Sequence, residues 1–243
     1  NDKIVILDAD LAKPDGIYPL FVEYPNRCFQ VGIAEANMAS LCAGLSAYGY
    51  LPVMVTFAPF ATRRVFDQIA VSIAYAKQRV IIVGTDPGIT AELNGGTHMS
   101  FEDVTIMRSI PDMVIYDAVD DVQLSQAIKQ LINLDKNVYI RMPRKTRPTV
   151  FDENYKYEYG KADVLKAGTD VTIAATGTMV YEALEAVKLL EEEGINAELI
   201  SVNTIKPIDK ETILESVKKT NCVVTCENNN INGDKIVNLV DKY

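Results

Sequence analysis

The sequence predicts an α/β protein built as two mostly parallel-sheet domains, the first larger than the second. Apolar runs of strand length alternate with segments of helical spacing, the pattern of parallel strands joined by helices. A polar stretch over residues 144–160 interrupts the alternation, which then resumes on a smaller scale. With 243 residues, each part has enough chain to bury a core.

The first strand is expected at residues 4–7, an unbroken apolar run. Residues 34–48 carry small and apolar side chains at helical spacing and end at Gly49, a natural helix stop. Residues 52–57 read as a strand, 63–76 as a helix and 79–84 as a short buried strand. Residues 86–100, rich in Gly, Asn and Thr, read as a loop. A strand at 113–116 precedes a helix at 122–134, whose Leu124, Ile128, Leu131 and Ile132 share one face. A strand at 138–140 closes the first domain, which the sequence places at residues 1–145, with a linker at 146–160. In the second domain, 161–243, strands are expected at 171–175, 197–202 and 223–226, and helices at 179–193 and 209–218.

Composition narrows the functional classes. A formal charge of −9 argues against a nucleic-acid or anionic-membrane partner, which would need a basic face. Cys28, Cys42, Cys222 and Cys226 lack zinc-ligand spacing, and with a single histidine in the chain they read as buried free thiols of a reducing compartment. No apolar run reaches membrane-spanning length and no leader pattern opens the sequence, so a cytoplasmic location is expected.

The chemistry concentrates in Val31-Gly32-Ile33-Ala34-Glu35-Ala36-Asn37-Met38 and in Thr56-Phe57-Ala58-Pro59-Phe60-Ala61-Thr62-Arg63-Arg64-Val65-Phe66-Asp67-Gln68-Ile69. One carboxylate stands in a small apolar setting, and two phenylalanines follow three apart. An aminopyrimidine ring needs an acid for a ring nitrogen and aromatic faces to stack on. The plain alternative makes Glu35 a helix-start carboxylate favoured by the helix dipole, and Phe57 and Phe60 ordinary core. No Gly-Asp-Gly followed at a distance by Asn is present, so no magnesium–diphosphate motif is visible.

These stretches resemble the pyrimidine-binding domain of transketolases, and Ile106-Met107-Arg108-Ser109-Ile110-Pro111-Asp112-Met113 continues the likeness. Val171-Thr172-Ile173-Ala174-Ala175-Thr176-Gly177 and Asn203-Thr204-Ile205-Lys206-Pro207-Ile208-Asp209 resemble the transketolase C-terminal domain, so the resemblance spans nearly the whole chain. It implies the C-terminal-half subunit of a split, thiamine-diphosphate-dependent transketolase, which moves a two-carbon ketol unit between a ketose and an aldose. The partner, an N-terminal-half subunit, would bind magnesium and the diphosphate. The cofactor would be shared at the interface, neither chain would act alone, and a heterotetramer is the expected assembly. No metal site is expected on this chain.

By the same resemblance Glu35 would bond the aminopyrimidine N1′ and promote its imino tautomer, which asks for a carboxyl that is protonated or shares a proton. Phe57 and Phe60 would wall the pyrimidine. Asp10 and Arg63 would contact the cofactor, Arg63 with a surface position as its alternative. His98, in Asn94-Gly95-Gly96-Thr97-His98, would touch substrate and assist proton transfer. Asn94, Arg141 and Arg144 would complete the substrate site, the arginines as bidentate grips on phosphate or sulfonate. Arg64 and Asp67 read as helix-borne structural residues in ion pairs.

The sequence also departs from the family. Thr85 stands where many transketolases have histidine, Asn94 where they have aspartate, and Ala12-Lys13-Pro14 where a serine follows Ala-Asp-Leu. These departures point away from the standard pentose phosphates, toward a less usual ketose or an altered anionic group. Glu227-Asn228-Asn229-Asn230-Ile231-Asn232-Gly233 replaces the family's glycine-rich turn, and the second domain is expected to end short of a complete one. The alternatives are a beta-type subunit of another thiamine diphosphate enzyme (deoxyxylulose phosphate synthase or a 2-oxo-acid dehydrogenase) and an inert partner subunit.

Overall fold

The computed structural model describes residues 2–231 together with Ile236 and Leu239. Residues 232–243 apart from those two lie outside the described residues, and with them the end of the altered Asn-rich tail.

In chain order the strands are β1 (Ile4–Asp8), β2 (Cys28–Gln30), β3 (Leu51–Phe57), β4 (Ile81–Thr85), β5 (Val114–Asp117), β6 (Val138–Met142), β7 (Asp163–Lys166), β8 (Val171–Ala175), β9 (Ala197–Ser201), β10 (Thr204–Lys206) and β11 (Val223–Cys226). The helices are α1 (Tyr18–Glu23), α2 (Glu35–Ala47), α3 (Ala58–Ala61), α4 (Asp103–Arg108), α5 (Asp121–Leu131), α6 (Met179–Glu192) and α7 (Lys210–Thr220). One sheet runs β10-β5-β6-β4-β3-β1-β2, parallel except for β10; the other runs β11-β8-β9-β7, with β7 antiparallel. The alternating α/β architecture expected from the sequence is therefore present. Central strands such as β4 are buried along their whole length, as parallel sheets covered on both faces require.

Several elements were not legible. The predicted helix over 63–76 is wound in two pieces, a 3₁₀ turn at Arg63–Val65 and a π-helical stretch at Gln68–Tyr75. Val65, Ile69 and Ile73 are all fully buried, and the wider π winding brings the four-residue spacing of Ile69 and Ile73 closer to one line than an α-helix does. The loop expected at 86–100 contains a 3₁₀ stretch, Gly88–Asn94. The short elements α1, β2, α3, α4, β7 and β10 carry too few residues for periodicity to show.

The polar linker is a strap and not a solvated connector. Phe151 and Tyr157 are buried, and the Phe151 ring lies 4.1 Å from that of Tyr155. Asp120 caps α5 by accepting the Gln123 N–H at 2.8 Å, and its other oxygen accepts the N–H groups of Val150 and Phe151 at 2.7 and 2.9 Å. Tyr157 continues the strap to the second domain through a 2.9 Å hydrogen bond with Thr204.

The cysteines are free, but only Cys28 and Cys42 are buried; Cys222 is exposed and Cys226 half-buried, which corrects the expectation of four buried thiols. Cys42 fits the expectation best, its thiol pushed up to about 12 by burial. Among the described residues no helix is long and apolar enough to cross a membrane.

The two sheets meet at a buried charge cluster. Arg141 on β6 is 1% exposed; its Nε and Nη2 donate to Asp103 at 2.7 and 3.3 Å, and its Nη1 donates to Asp117 at 3.0 Å. Tyr139, two residues back on the same strand face, donates to Asp103 at 2.7 Å. From the second domain, the Asn228 carbonyl accepts from Arg141 Nη2, and Gly177 lies so close that a Cβ there would stand 2.4 Å from the Asp117 carboxyl. Gly177 also has φ +51, so only glycine meets both conditions. Strand β10 adds a further tie by pairing antiparallel with β5.

Replacing Arg141 by leucine leaves Asp103 and Asp117 buried without their cation. The expected loss is about 3–5 kcal/mol, read as a lower urea midpoint, whereas Lys145→Leu at an exposed pair should stay within about 1 kcal/mol.

Candidate functional site

Strand order places the site. From β1 the chain moves to β2 on one side and returns to β3 on the other, so the connections part company at the carboxyl ends of β1 and β3. Open parallel sheets bind ligands at such a reversal. Asp8 ends β1 and Phe57 ends β3, with Thr85 on β4 and Met142 on β6 level with Phe57 in the register.

Straight after Phe57 the chain turns into α3, with Pro59 in its first turn, and this brings Phe60 back beside Phe57 with ring centroids 6.0 Å apart. The His98 ring stands edge-on to both, 5.9 Å from Phe57 and 5.1 Å from Phe60. Thr97 Oγ1 shares a 2.8 Å hydrogen bond with His98 Nδ1. Arg144 lies 5.1 Å over the Phe57 ring, half-buried, and is ion-paired with Asp86.

Glu35 opens α2 and is 4% exposed. That is the helix-start position the plain alternative gave it, and its side chain does more besides: Oε1 accepts from Arg64 Nη1 at 2.7 Å, and Oε2 has no hydrogen-bond partner among the described residues. Arg64 in turn lies 3.7 Å over the Phe60 ring, a cation–π contact made possible by the four-residue spacing. Arg64 is thus paired, as its sequence reading expected, but with the central carboxylate, a consequence that only the tertiary fold shows.

The other predicted residues are placed unequally. Arg63 points to the loop, donating to Glu102 at 2.8 Å and to the Thr97 carbonyl at 2.9 Å. Asn94 is exposed at the end of the 3₁₀ stretch. Asp10 is exposed, holds φ +67 and donates its N–H to Gln30 Oε1 at 2.7 Å. Arg141 does not join the group: it is committed to the core carboxylates and offers no free face to an anion.

Two carboxylates went unnoticed in the sequence. Asp8 is buried with Gln30 as partner, and burial raises its carboxyl above the usual range. Asp15 accepts from Thr85 at 2.7 Å, its Oδ2 is buried without a partner, and burial pushes it up to about 7. Neither stands in a periodic pattern that would have marked it.

A buried carboxyl with one free oxygen beside two aromatic faces and a lone imidazole is a donor set that fits an aminopyrimidine. Comparison with known proteins bears on the same residues. The transketolase pyrimidine binding domain matches residues 1–149, and the transketolase C-terminal domain matches residues 160–241.

The chain belongs to the transketolase family.

Among its relatives, the 6-deoxy-6-sulfo-D-fructose transketolase subunit SqwH of Clostridium sp. strain MSTE9 is 50% identical, over 96% of this chain and 72% of the relative. The putative transketolase C-terminal section of Methanocaldococcus jannaschii is 39% identical, over 96% and 73%. A solved split-gene transketolase, described as an inactive beta4 tetramer, superposes with a TM-score of 0.90 at 39% identity, covering 100% of this chain and 80% of its own. These matches set the transketolase reading above the synthase alternative.

The raised Asp15 carboxyl makes a pH prediction. Its folded value of about 7 lies above the 3.8 of an unperturbed aspartate, so folding takes up a proton between these values. Its contribution is full below about pH 4 and is lost as pH rises through about 7. Asp15→Asn should flatten the fall in stability across that window, measured as urea midpoints at several pH values.

Proposed function

We propose that this chain is the pyrimidine-binding half of a two-chain, thiamine-diphosphate-dependent transketolase. The observation that carries the reading is the Glu35 carboxyl, buried with one free oxygen, beside the Phe57–Phe60–His98 group. When bound, thiamine diphosphate would supply the carbon centre that accepts and releases the two-carbon ketol unit.

Glu35 presents Oε2 toward a ring nitrogen, and Arg64 on Oε1 fixes the carboxyl in place. Phe57 and Phe60 supply apolar faces that orient the ring and exclude water. With Nδ1 engaged by Thr97, His98 keeps Nε2 for a substrate hydroxyl. Asn94, at the exposed end of the same loop, is a second hydroxyl contact. Asp10 and Arg63 border the cofactor, Arg63 by fixing the loop against it. Magnesium and the diphosphate are assigned to an N-terminal-half partner, and two copies of each chain make the expected heterotetramer.

For the substrate we propose a ketose ending in a sulfonate. The 50% identical relative is named for a 6-sulfo-ketose. In this chain, two positions that the resemblance links to phosphate are Thr85, buried against Asp15, and the exposed Pro14. With Arg141 sealed in the core, Arg144, whose Nε is paired with Asp86, is the one of the two proposed arginines positioned to meet a terminal anion.

The test is ketol transfer by the chain co-purified with a partner that carries Gly-Asp-Gly…Asn. 6-Deoxy-6-sulfofructose and xylulose 5-phosphate are compared as donors, with and without thiamine diphosphate and magnesium. Cofactor-dependent turnover that favours the sulfonate donor and falls at least about 100-fold in Glu35→Ala, with the circular dichroism spectrum intact, is the expected result. Turnover that survives Glu35→Ala, or a preference for the phosphate donor, would contradict the reading.

A further inference from the structure

Among the described residues the second domain supplies no side chain to the aromatic group, yet it grips the loop that carries His98. Asn228 is 4% exposed just beyond β11. Its Oδ1 accepts the Ile89 N–H at 2.9 Å and its Nδ2 donates to the Pro87 carbonyl at 2.9 Å, so one amide holds both sides of Gly88. Its own carbonyl is held by Arg141. Two residues on, the Asn230 N–H donates to the Phe101 carbonyl at 2.9 Å, at the far end of the loop. Gly88 closes the loop base by donating its N–H to the Ser100 carbonyl at 2.9 Å.

Contact at the base is close. Gly88 has φ +56, and a Cβ there would stand 2.1 Å from Asn228 Oδ1. Between the gripped ends, residues 94–98 project Asn94, Thr97 and His98, and the first domain touches this tip through Arg63 on the Thr97 carbonyl. The tip is therefore tethered from one domain and the base from the other.

We propose that Asn228 is a positioning residue, clamping the base of the 87–101 loop from the second domain and so setting where His98 stands against Phe57 and Phe60. This rests on His98 belonging to the site proposed above. It gives the second domain a part in the chemistry, through the loop and not by contact with substrate. A complete amide is required: an acceptor for the Ile89 N–H and a donor for the Pro87 carbonyl must meet the two sides of Gly88 together.

His98 is the only histidine of the chain, so its imidazole gives one set of resonances when this chain alone is labelled. The experiment uses ¹³C-histidine-labelled chain assembled with unlabelled partner, in wild type, Asn228→Ala, Gly88→Ala and Ile213→Ala. Ile213 is buried in the second-domain core away from the loop and serves as the control for general destabilisation. Asn228→Ala and Gly88→Ala should each move the imidazole resonances out of the field of the two phenyl rings, while Ile213→Ala leaves them in place. In the same samples kcat for ketol transfer should fall about 10- to 100-fold in Asn228→Ala, with thiamine diphosphate affinity within about twofold of wild type. Unmoved resonances in Asn228→Ala, or an equal movement in Ile213→Ala, would overturn the proposal. The resonance belongs to the chain itself, so it reports on the clamp independently of turnover.

Discussion

The guanidinium of Arg141 is the interaction on which the rest of the structure depends. It lies in the sheet core with two carboxylates, a tyrosine hydroxyl on one of them and a carbonyl from the second domain. An ion pair buried this deeply gains little net stability over an apolar replacement of equal volume, because desolvation offsets the Coulombic attraction. Removing one partner is a different matter, since the remaining charges have no water to turn to. The cluster ties α4, β5, β6 and the segment after β11 together at one point. Burial works against the Arg141 charge, but Asp103 and Asp117 outweigh it and hold the guanidinium above its ordinary range, so it stays protonated.

From that anchor the site can be followed outward. The cluster fixes the backbone at Asn228, Asn228 fixes the loop base at Pro87 and Ile89, and the loop ends at His98 beside two phenylalanines. Arg64 in turn spans from the Phe60 face to Glu35. Glu35 is thus held by a guanidinium, and the loop that carries His98 by an amide. Rigid support of this kind lets a site keep its geometry when its two halves lie on different polypeptides.

Much of this was legible in the sequence, and the failures have physical causes. Glu35, Phe57, Phe60 and His98 stand in short, distinctive motifs, and the sheet order brings the two phenylalanines and His98 together. The resemblance made Arg141 an anion grip; strand alternation places it with Tyr139, on the face that meets Asp103. Arg64 looked structural because its partner lies 29 residues away in the chain, a contact that periodicity does not encode. The strap over 144–160 looked like a linker because Phe151, Tyr155 and Tyr157 are scattered among charges, and only the gap between two sheets gives them cover. Strand β10 was invisible for a related reason: three residues of the second domain complete the edge of the first sheet.

The central claim is that this chain presents half of a cofactor site. Calorimetric titration of thiamine diphosphate and magnesium into this chain, into its partner and into their complex tests it most directly. The account predicts saturable, stoichiometric binding by the complex, and neither chain alone approaching that affinity. Equal affinity for this chain by itself, or none for the complex, would contradict it.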